Sequence, residues 1–508
     1  MLARVESAAV IGMDCYKVQV EVDLAQGLPA FSIVGLPDTA IQESRERIRS
    51  GTSNSEYDFP LKRITVNLAP ADVRKEGPSF DLPVAVGIII ASEQLRTKIA
   101  DYLLVGELSL TGEVRKVKGA LPLAIFARDQ KKKGIIVPHE NAGEAALIEG
   151  FDVIPVKSLR ETIDFLKGAL SIDPVFRDFN AIDAQPCHSV DFSDVKGQHH
   201  VKRALEVGAS GGHNVIMMGP PGSGKTMLAK RVSTILPDMD MDEALEVTKI
   251  YSISGMLSSE TSLIATRPFR SPHHTISCAG LVGGGQHPRP GEVSLSHHGV
   301  LFLDEFPEFQ KNALQVLRQP LEDGCVTISR AMASLTYPAR FTLIAAMNPC
   351  PCGYLGDRVK ECICTPNKVL QYRSKISGPL LDRIDIHIEV PRLARQDLMG
   401  SENGENSCEI RERVQNARDL QRSRLSGSSV SCNAQMKPRQ VKRFCKPNEP
   451  AREFLEAAIE KLGLSARSYD RVLKVARTIA DLRESEIIEL ADLAEAVQYR
   501  SLDRDMFH

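Results

Sequence analysis

The residues with the clearest chemical potential are Gly219, Pro220, Pro221, Gly222, Ser223, Gly224, Lys225 and Thr226, in that unbroken order. Glycines at this spacing let backbone N–H groups turn inward around phosphate oxygens with no Cβ in the way. Lys225 would reach the β- and γ-phosphates, and the Thr226 hydroxyl would ligate Mg²⁺. A second group is Asp304-Glu305, two carboxylates closing the apolar run Gly299-Val300-Leu301-Phe302-Leu303. Asp304 would hold Mg²⁺, usually through water, and Glu305 would polarise an attacking water. Asn348 ends a third apolar run, Phe341 to Met347, where a polar side chain can orient water beside a γ-phosphate. Cys350, Cys352, Cys362 and Cys364 form the fourth group, four thiols in fifteen residues. Their spacing suits a tetrahedral Zn²⁺, with free thiols as the alternative.

These groups require particular supports. The run Asn214 to Met218 reads as a strand entering the glycine loop, and Met227 to Val232 as the helix leaving it. That helix adds its positive N-terminal end to the phosphate site. Four apolar residues ahead of Asp304 predict a buried central strand of a parallel sheet, and the C-terminal ends of such strands are where α/β sheets bind ligands.

A chain of 508 residues exceeds one core and predicts roughly two to four domains. With 43% apolar and 25% charged residues its composition is that of a globular protein. A formal net charge of −2 leaves any nucleic-acid contact to local patches. No apolar run approaches the ~20 residues of a membrane span, and Met1 to Glu6 is charged with no signal-peptide core. Eleven cysteines without secretion argue for free thiols or metal ligation, so a cytoplasmic location and no membrane partner are expected.

Residues 1–167 alternate short strands and helices. The pattern predicts a strand over Arg63–Leu68, an amphipathic helix over Asp81–Leu95, and a hairpin of Leu103–Leu110 with Val114–Val117. Helix, strand, helix and strand follow over 119–131, 134–137, 142–149 and 153–155. Residues 168–190 read as a linker and 191–395 as a second globular unit. Residues 396–508 contain polar connections at Gly400–Ser407 and Ser426–Ser431, then helices over 452–462, 466–482 and 486–500.

The first domain resembles the proteolytic domain of the Lon family. The resemblance lies in Lys75-Glu76-Gly77-Pro78-Ser79, Leu110-Thr111-Gly112-Glu113-Val114 and the stretch Gly134 to Asn141. It implies a Lon-like α+β fold with Ser79 at the nucleophile position. A Ser–Lys dyad needs an amine beside that hydroxyl. Here the lysine position falls on Leu121, and Lys118 lies three residues early, so the domain is expected to be non-proteolytic. Recombination proteins of the RadA type, which resemble this domain too, keep the fold without the dyad for ring assembly and DNA contact.

The remainder resembles AAA+ ATPases, which implies an α/β P-loop core with a parallel sheet and an α-helical lid, with ATP and Mg²⁺ as cofactors. By that resemblance Asp191 to Gln198, including Gly197 and Gln198, lies over the adenine, and Asn348 is sensor 1. Arg383, after Gly378-Pro379-Leu380-Leu381-Asp382, would enter a neighbouring subunit's site, the alternative being a salt-bridged arginine. Such a residue in trans implies a closed homomeric ring. Arg467 matches sensor 2, with Arg471 as runner-up. The Lon-like domain, Leu317 to Gly324 with Ile328-Ser329-Arg330, and Asn348-Pro349-Cys350-Pro351-Cys352-Gly353 together make the chain similar to the ComM/YifB branch of magnesium-chelatase-like AAA+ ATPases. That resemblance implies a homo-hexameric DNA motor driving branch migration during recombination and natural transformation. The competing readings are a chelatase-type remodeller of a protein partner and an ATP-dependent protease.

Two insertions, 266–298 and the hairpin 325–340, supply Arg267, Arg270 and Arg330 as candidate phosphate contacts. Residues 411–446 carry ten Lys/Arg against two Asp/Glu, either a solvated face or a DNA track. The pairs His199-His200, His273-His274 and His297-His298 read as surface or core residues rather than metal ligands.

Overall fold

The computed structural model describes residues 2–500, apart from 98, 177–188, 259–260, 286–287, 331–332, 358, 394–403, 429 and 463–464. Most of the expected linker and part of the Gly400–Ser407 connection therefore lie outside the described residues. The chain forms two compact units: residues 1–183 with 244–264 and 331–335, and residues 184–243, 265–330 and 336–508. Nothing in the sequence pattern had assigned 244–264 to the first unit. Among the described residues no helix is long and apolar enough to cross a membrane.

In the first unit Leu2–Ile11, Asp14–Ala25 and Arg63–Ala69 pair antiparallel, and Ala30–Val34 adds in parallel to the last. A second, parallel sheet joins Tyr102–Leu104, Gly134–Pro138 and Asp152–Val156. Two expectations change here. The helix at Asp81 ends at Ala91 and buries every residue but Ile90, so it is a core helix and not an amphipathic one. An unbroken apolar stretch has no polar face to turn outward. The expected hairpin also divides, because only Glu107–Leu108 pairs with Val114–Arg115 while Tyr102–Leu104 enters the parallel sheet. The break falls at Gly106, whose N–H goes to Ser79 O and whose carbonyl accepts from Leu82 N.

The second unit is built on a five-stranded parallel sheet. Its order is Phe269–Arg270, Val300–Leu303, Thr342–Met347, Val215–Met218, Ile386–Glu389. Val215–Met218 and Val300–Leu303 are buried at every position, as their continuous apolar runs require. One hydrophobic core runs from the sheet (Val215, Phe302, Ile344, Ile386) into the C-terminal helices (Leu455, Val472, Ala476, Leu493). Helices Glu449–Leu462, Ala466–Leu482 and Leu490–Gln498 follow the chain's apolar periodicity, with Ser465 capping the middle one through its hydroxyl. The insertion 325–340 is a two-stranded hairpin of Cys325–Arg330 and Ala333–Pro338.

Candidate nucleotide site

The chain leaves the strand Val215–Met218 into a loop where Gly222 and Gly224 have φ of 77° and 90°. Gly219 has a different constraint: a Cβ there would stand 2.2 Å from the Val390 carbonyl oxygen. The helix Lys225–Ile235 begins directly after Gly224 with no side-chain cap, so its first N–H groups face the loop uncapped. That uncapped end and the open turn fit a bound triphosphate.

Lys225 Nζ donates to Gly219 O at 2.7 Å, Pro220 O at 3.0 Å and Asn348 Oδ1 at 3.2 Å. Burial pushes this amine down to about 8, and Asp304 works in the opposite direction. Thr226 Oγ1 donates to Asp304 Oδ2 at 2.6 Å, so the hydroxyl and carboxylate expected to share Mg²⁺ already face each other. Gln198 spans the loop from behind, its Nε2 donating to Ser223 O at 2.9 Å and Pro391 O at 3.0 Å. It sits in a left-handed conformation after Gly197. Glu305 is left-handed too, with φ 51°. Such a backbone costs a non-glycine residue about 1–3 kcal/mol and is a mark of functional sites. Its carboxylate lies 3.2 Å from His274 Nδ1. The sequence reading missed this contact, since no spacing rule links an insertion to the end of a strand.

Thus Gly219–Thr226, Asp304, Glu305 and Asn348 converge at the C-terminal ends of adjacent strands. Arg383 and Arg467 do not join them. Arg383 pairs with Glu322 and donates to Pro379 O at 2.6 Å, and Arg467 lies 3.9 Å from the same Glu322 carboxylate. Both line a cavity of ≈ 590 Å³ whose walls include Asp382 and Asp385 but no residue of Gly219–Thr226, nor Asp304, Glu305 or Asn348. Arg471, the runner-up for Arg467, is 3.2 Å from Asp385 and half-buried. Glu322 had gone unnoticed as a functional residue, because a single acidic residue within the short helix Arg318–Asp323 carries no signal of its own.

The candidate phosphate contacts need correction. Arg267 is not available to a polymer, because it donates to Pro237 O, His298 O and Glu243 and is buried. Burial alone would raise the Glu243 carboxyl, but Arg267, His298, Arg418 and Arg422 together bring it down to about 2. Arg270 is clamped by both oxygens of Glu292 at 2.6 and 2.8 Å. An arginine locked in a fork-to-fork pair gains little by exchanging its carboxylate for a phosphate. Arg330 closes its strand at the hairpin tip. The basic run is half spoken for as well: Arg411 pairs with Asp238, Arg413 with Glu206 and Glu405, Arg422 with Glu243, and Arg424 with Asp481. Arg418 caps the carbonyls of Ala209 and Ser210.

The four cysteines meet. Cys350, Cys352 and Cys362 Sγ atoms are 3.4 to 3.6 Å apart, and all four sulfurs lie within 4.8 Å of one another.

A five-stranded parallel sheet in this order, with a glycine loop after one inner strand and two acids after another, defines a P-loop ATPase of the AAA+ class. Residues 191–398 match the family described as magnesium chelatase, subunit ChlI, with further matches to that subunit over 20–141 and to its C-terminal part over 404–500. The chain is 43% identical over 511 residues to the competence protein ComM of Haemophilus influenzae, covering 99% of this chain and 98% of that one. It is 44% identical over 511 residues to YifB of Escherichia coli, covering 100% and 98%. A partial likeness, 25% over 194 residues, links 38% of the chain to 19% of the DNA replication licensing factor mcm6 of Dictyostelium discoideum. The chain belongs to the ComM/YifB family of magnesium-chelatase-like AAA+ ATPases.

Proposed function

We propose that this protein is a ring-forming, ATP-driven DNA motor that promotes branch migration. The observation that carries the reading is the convergence of Arg383 and Arg467 on Glu322, beside a cavity free of the chain's own phosphate loop. Two arginines gathered on one carboxylate beside a cavity clear of their own phosphate loop are placed to serve another subunit's nucleotide, and on that reading the working unit is a homomeric ring, most simply a hexamer. Both arginines then act in trans. The DNA reading draws on the likeness to a competence protein and to a replication licensing factor. The hairpin around Arg330 and the basic stretch Lys437–Lys446 are the surfaces proposed to meet DNA, and the cytoplasm is the place of action.

Each residue then has a task. Lys225 neutralises the β- and γ-phosphates, Glu305 takes the proton of the attacking water, and Asn348 orients that water. Mg²⁺ held by Thr226 and Asp304 supplies charge neutralisation at the phosphate oxygens. Gly197 and Gln198 fix the loop beneath the adenine side. The first unit is proposed to be a Lon-like domain without peptidase activity. Leu121, at the base position, is fully buried in that unit's core, and the Lys118 side chain lies along Gly255. The four-cysteine group is proposed to hold a structural Zn²⁺.

The test is incubation with ATP and a fluorescent four-stranded junction. Strand exchange with DNA-stimulated ATP hydrolysis is the expected result. Hydrolysis that DNA leaves unchanged, with no exchange, would favour the protein-remodelling reading, and degradation of casein would revive the protease.

The low affinity of Lys225 for its proton gives a pH signature. In the free loop the amine discharges as pH rises through about 8, whereas bound phosphates hold the proton on. Binding above that pH therefore takes up a proton. Nucleotide affinity should be level below it and fall by up to about tenfold per pH unit above it. A fluorescent-nucleotide titration from about pH 7 to about pH 10 reads this directly. An unchanging Kd over that range would contradict it.

A further inference from the structure

The cysteine group does not stand apart from the nucleotide loop. Cys350 is two residues beyond Asn348, whose side chain receives the Lys225 amine. Gly353, one residue beyond Cys352, lies so close to the loop that a Cβ on it would stand 2.6 Å from Pro221 Cδ. Its φ is 85°, and its N–H donates to Cys350 O at 2.9 Å. The knuckle is anchored on two further sides. Arg373 Nε donates to Pro349 O at 3.3 Å, and Arg392 reaches Asp357 at 3.4 Å and stacks over Tyr354. Arg392 follows Pro391, whose carbonyl accepts from Gln198. The cysteine loop therefore touches the nucleotide loop from one side and shares the Gln198 brace on the other.

The thiols themselves argue for a single metal ion. A disulfide would bring two sulfurs to about 2.05 Å. Four thiolates around one Zn²⁺, with bonds of about 2.3 Å, stand about 3.8 Å apart. The observed separations of 3.4 to 3.6 Å are far too long for a disulfide and close to the spacing that four thiolates take around one ion. A polynuclear iron–sulfur cluster needs iron and sulfide between its thiolates, and sulfurs all within 4.8 Å leave room for one ion. Cys364 N–H pointing at Cys362 Sγ, 3.4 Å away, is the backbone donor that stabilises a ligating thiolate. Cys350 is fully buried, with Pro349 before it and Pro351 after it stiffening the turn.

We infer that the zinc knuckle positions the ATP site: a tetrathiolate Zn²⁺ at Cys350, Cys352, Cys362 and Cys364 holds Asn348 and Pro221 in place, so metal and nucleotide bind with positive coupling. The inference rests on the structural zinc of the preceding subsection and adds a task to it. Without the ion the four thiols lose the centre that ties Cys350 and Cys352 to Cys362 and Cys364, and the segment that carries Asn348 and presses on Pro221 is loosened. Second-shell supports of this kind are worth about 10–100-fold when removed. Coupling is reciprocal, so whatever factor zinc adds to nucleotide affinity, nucleotide must add to zinc affinity.

The experiment uses the full chain. Metal analysis should find about one zinc per chain, lost in the double variant Cys362→Ser, Cys364→Ser. Competition against a chromophoric chelator should show zinc held about tenfold more tightly with a non-hydrolysable ATP analogue than without it, and no such gain in Lys225→Ala. Stripping zinc from the unaltered chain should weaken nucleotide binding and lower kcat, and adding Zn²⁺ back should restore both. Gly353→Ala keeps all four thiols. It should retain zinc yet bind nucleotide about tenfold more weakly, which answers the case in which the double variant fails to fold. Protein purified without chelator and carrying no metal would overturn the site. Metal present, with zinc affinity indifferent to nucleotide, would overturn the coupling while leaving the ATP site and the motor reading standing.

Discussion

Arg383→Ala chains are expected to bind ATP nearly as well as the unaltered protein and to hydrolyse it at least about 10³-fold more slowly. Mixing them with Lys225→Ala chains, inactive on their own, should bring hydrolysis back. A finger acting in trans needs Lys225 from one chain and Arg383 from the next. In rings assembled from equal amounts, about a quarter of the interfaces have both. If Arg383 served its own chain, every active site in the mixture would lack one group and the mixture would stay silent. In the single chain Glu322 occupies the guanidinium, and Arg467 shares that carboxylate. Placing the neighbour's triphosphate there would draw both arginines from Glu322 toward a stronger anion, which ties transition-state charge to subunit contact. Arg467→Ala should complement Lys225→Ala in the same way.

The second large effect concerns the water. Glu305→Gln should retain nucleotide binding while kcat falls by about 10²–10⁴, the usual worth of a positioned general base. Lys225→Ala should instead lose binding itself, since its amine, which links both loop carbonyls to Asn348, is the cation proposed to neutralise the phosphates. The two outcomes separate a proton acceptor from a phosphate ligand. Turnover by Glu305→Gln comparable to the unaltered protein would move the base elsewhere, and His274, in contact with Glu305, would be examined next. The left-handed backbone at Glu305 aims the carboxylate independently of its charge, so the amide should occupy the same place.

How legible these features were depends on how local they are. The strands Val215–Met218, Val300–Leu303 and Thr342–Met347 were readable because a parallel sheet covered on both faces needs unbroken apolar runs. The same rule misled at Asp81–Ala91, where an apolar run is a buried helix and the period was overread. The cysteine spacing pointed to a four-thiol group that the fold does assemble. Charge was the poorest guide. Arg267 and Arg270 looked like free cations and are tied to Glu243 and Glu292, which lie 24 and 22 residues away in the chain.

By itself, then, the sequence determined the phosphate loop, its two acids, Asn348 and the thiol set, because each is written in adjacent residues whose chemistry needs no partner to be recognised. Only the tertiary structure decided which arginines are struts and which stand together at Glu322, that His274 meets Glu305, and that the cysteine loop leans on Pro221. Those are pairings between segments far apart in the chain. A charge or a close approach has meaning only relative to its neighbour, and folding supplies the neighbour.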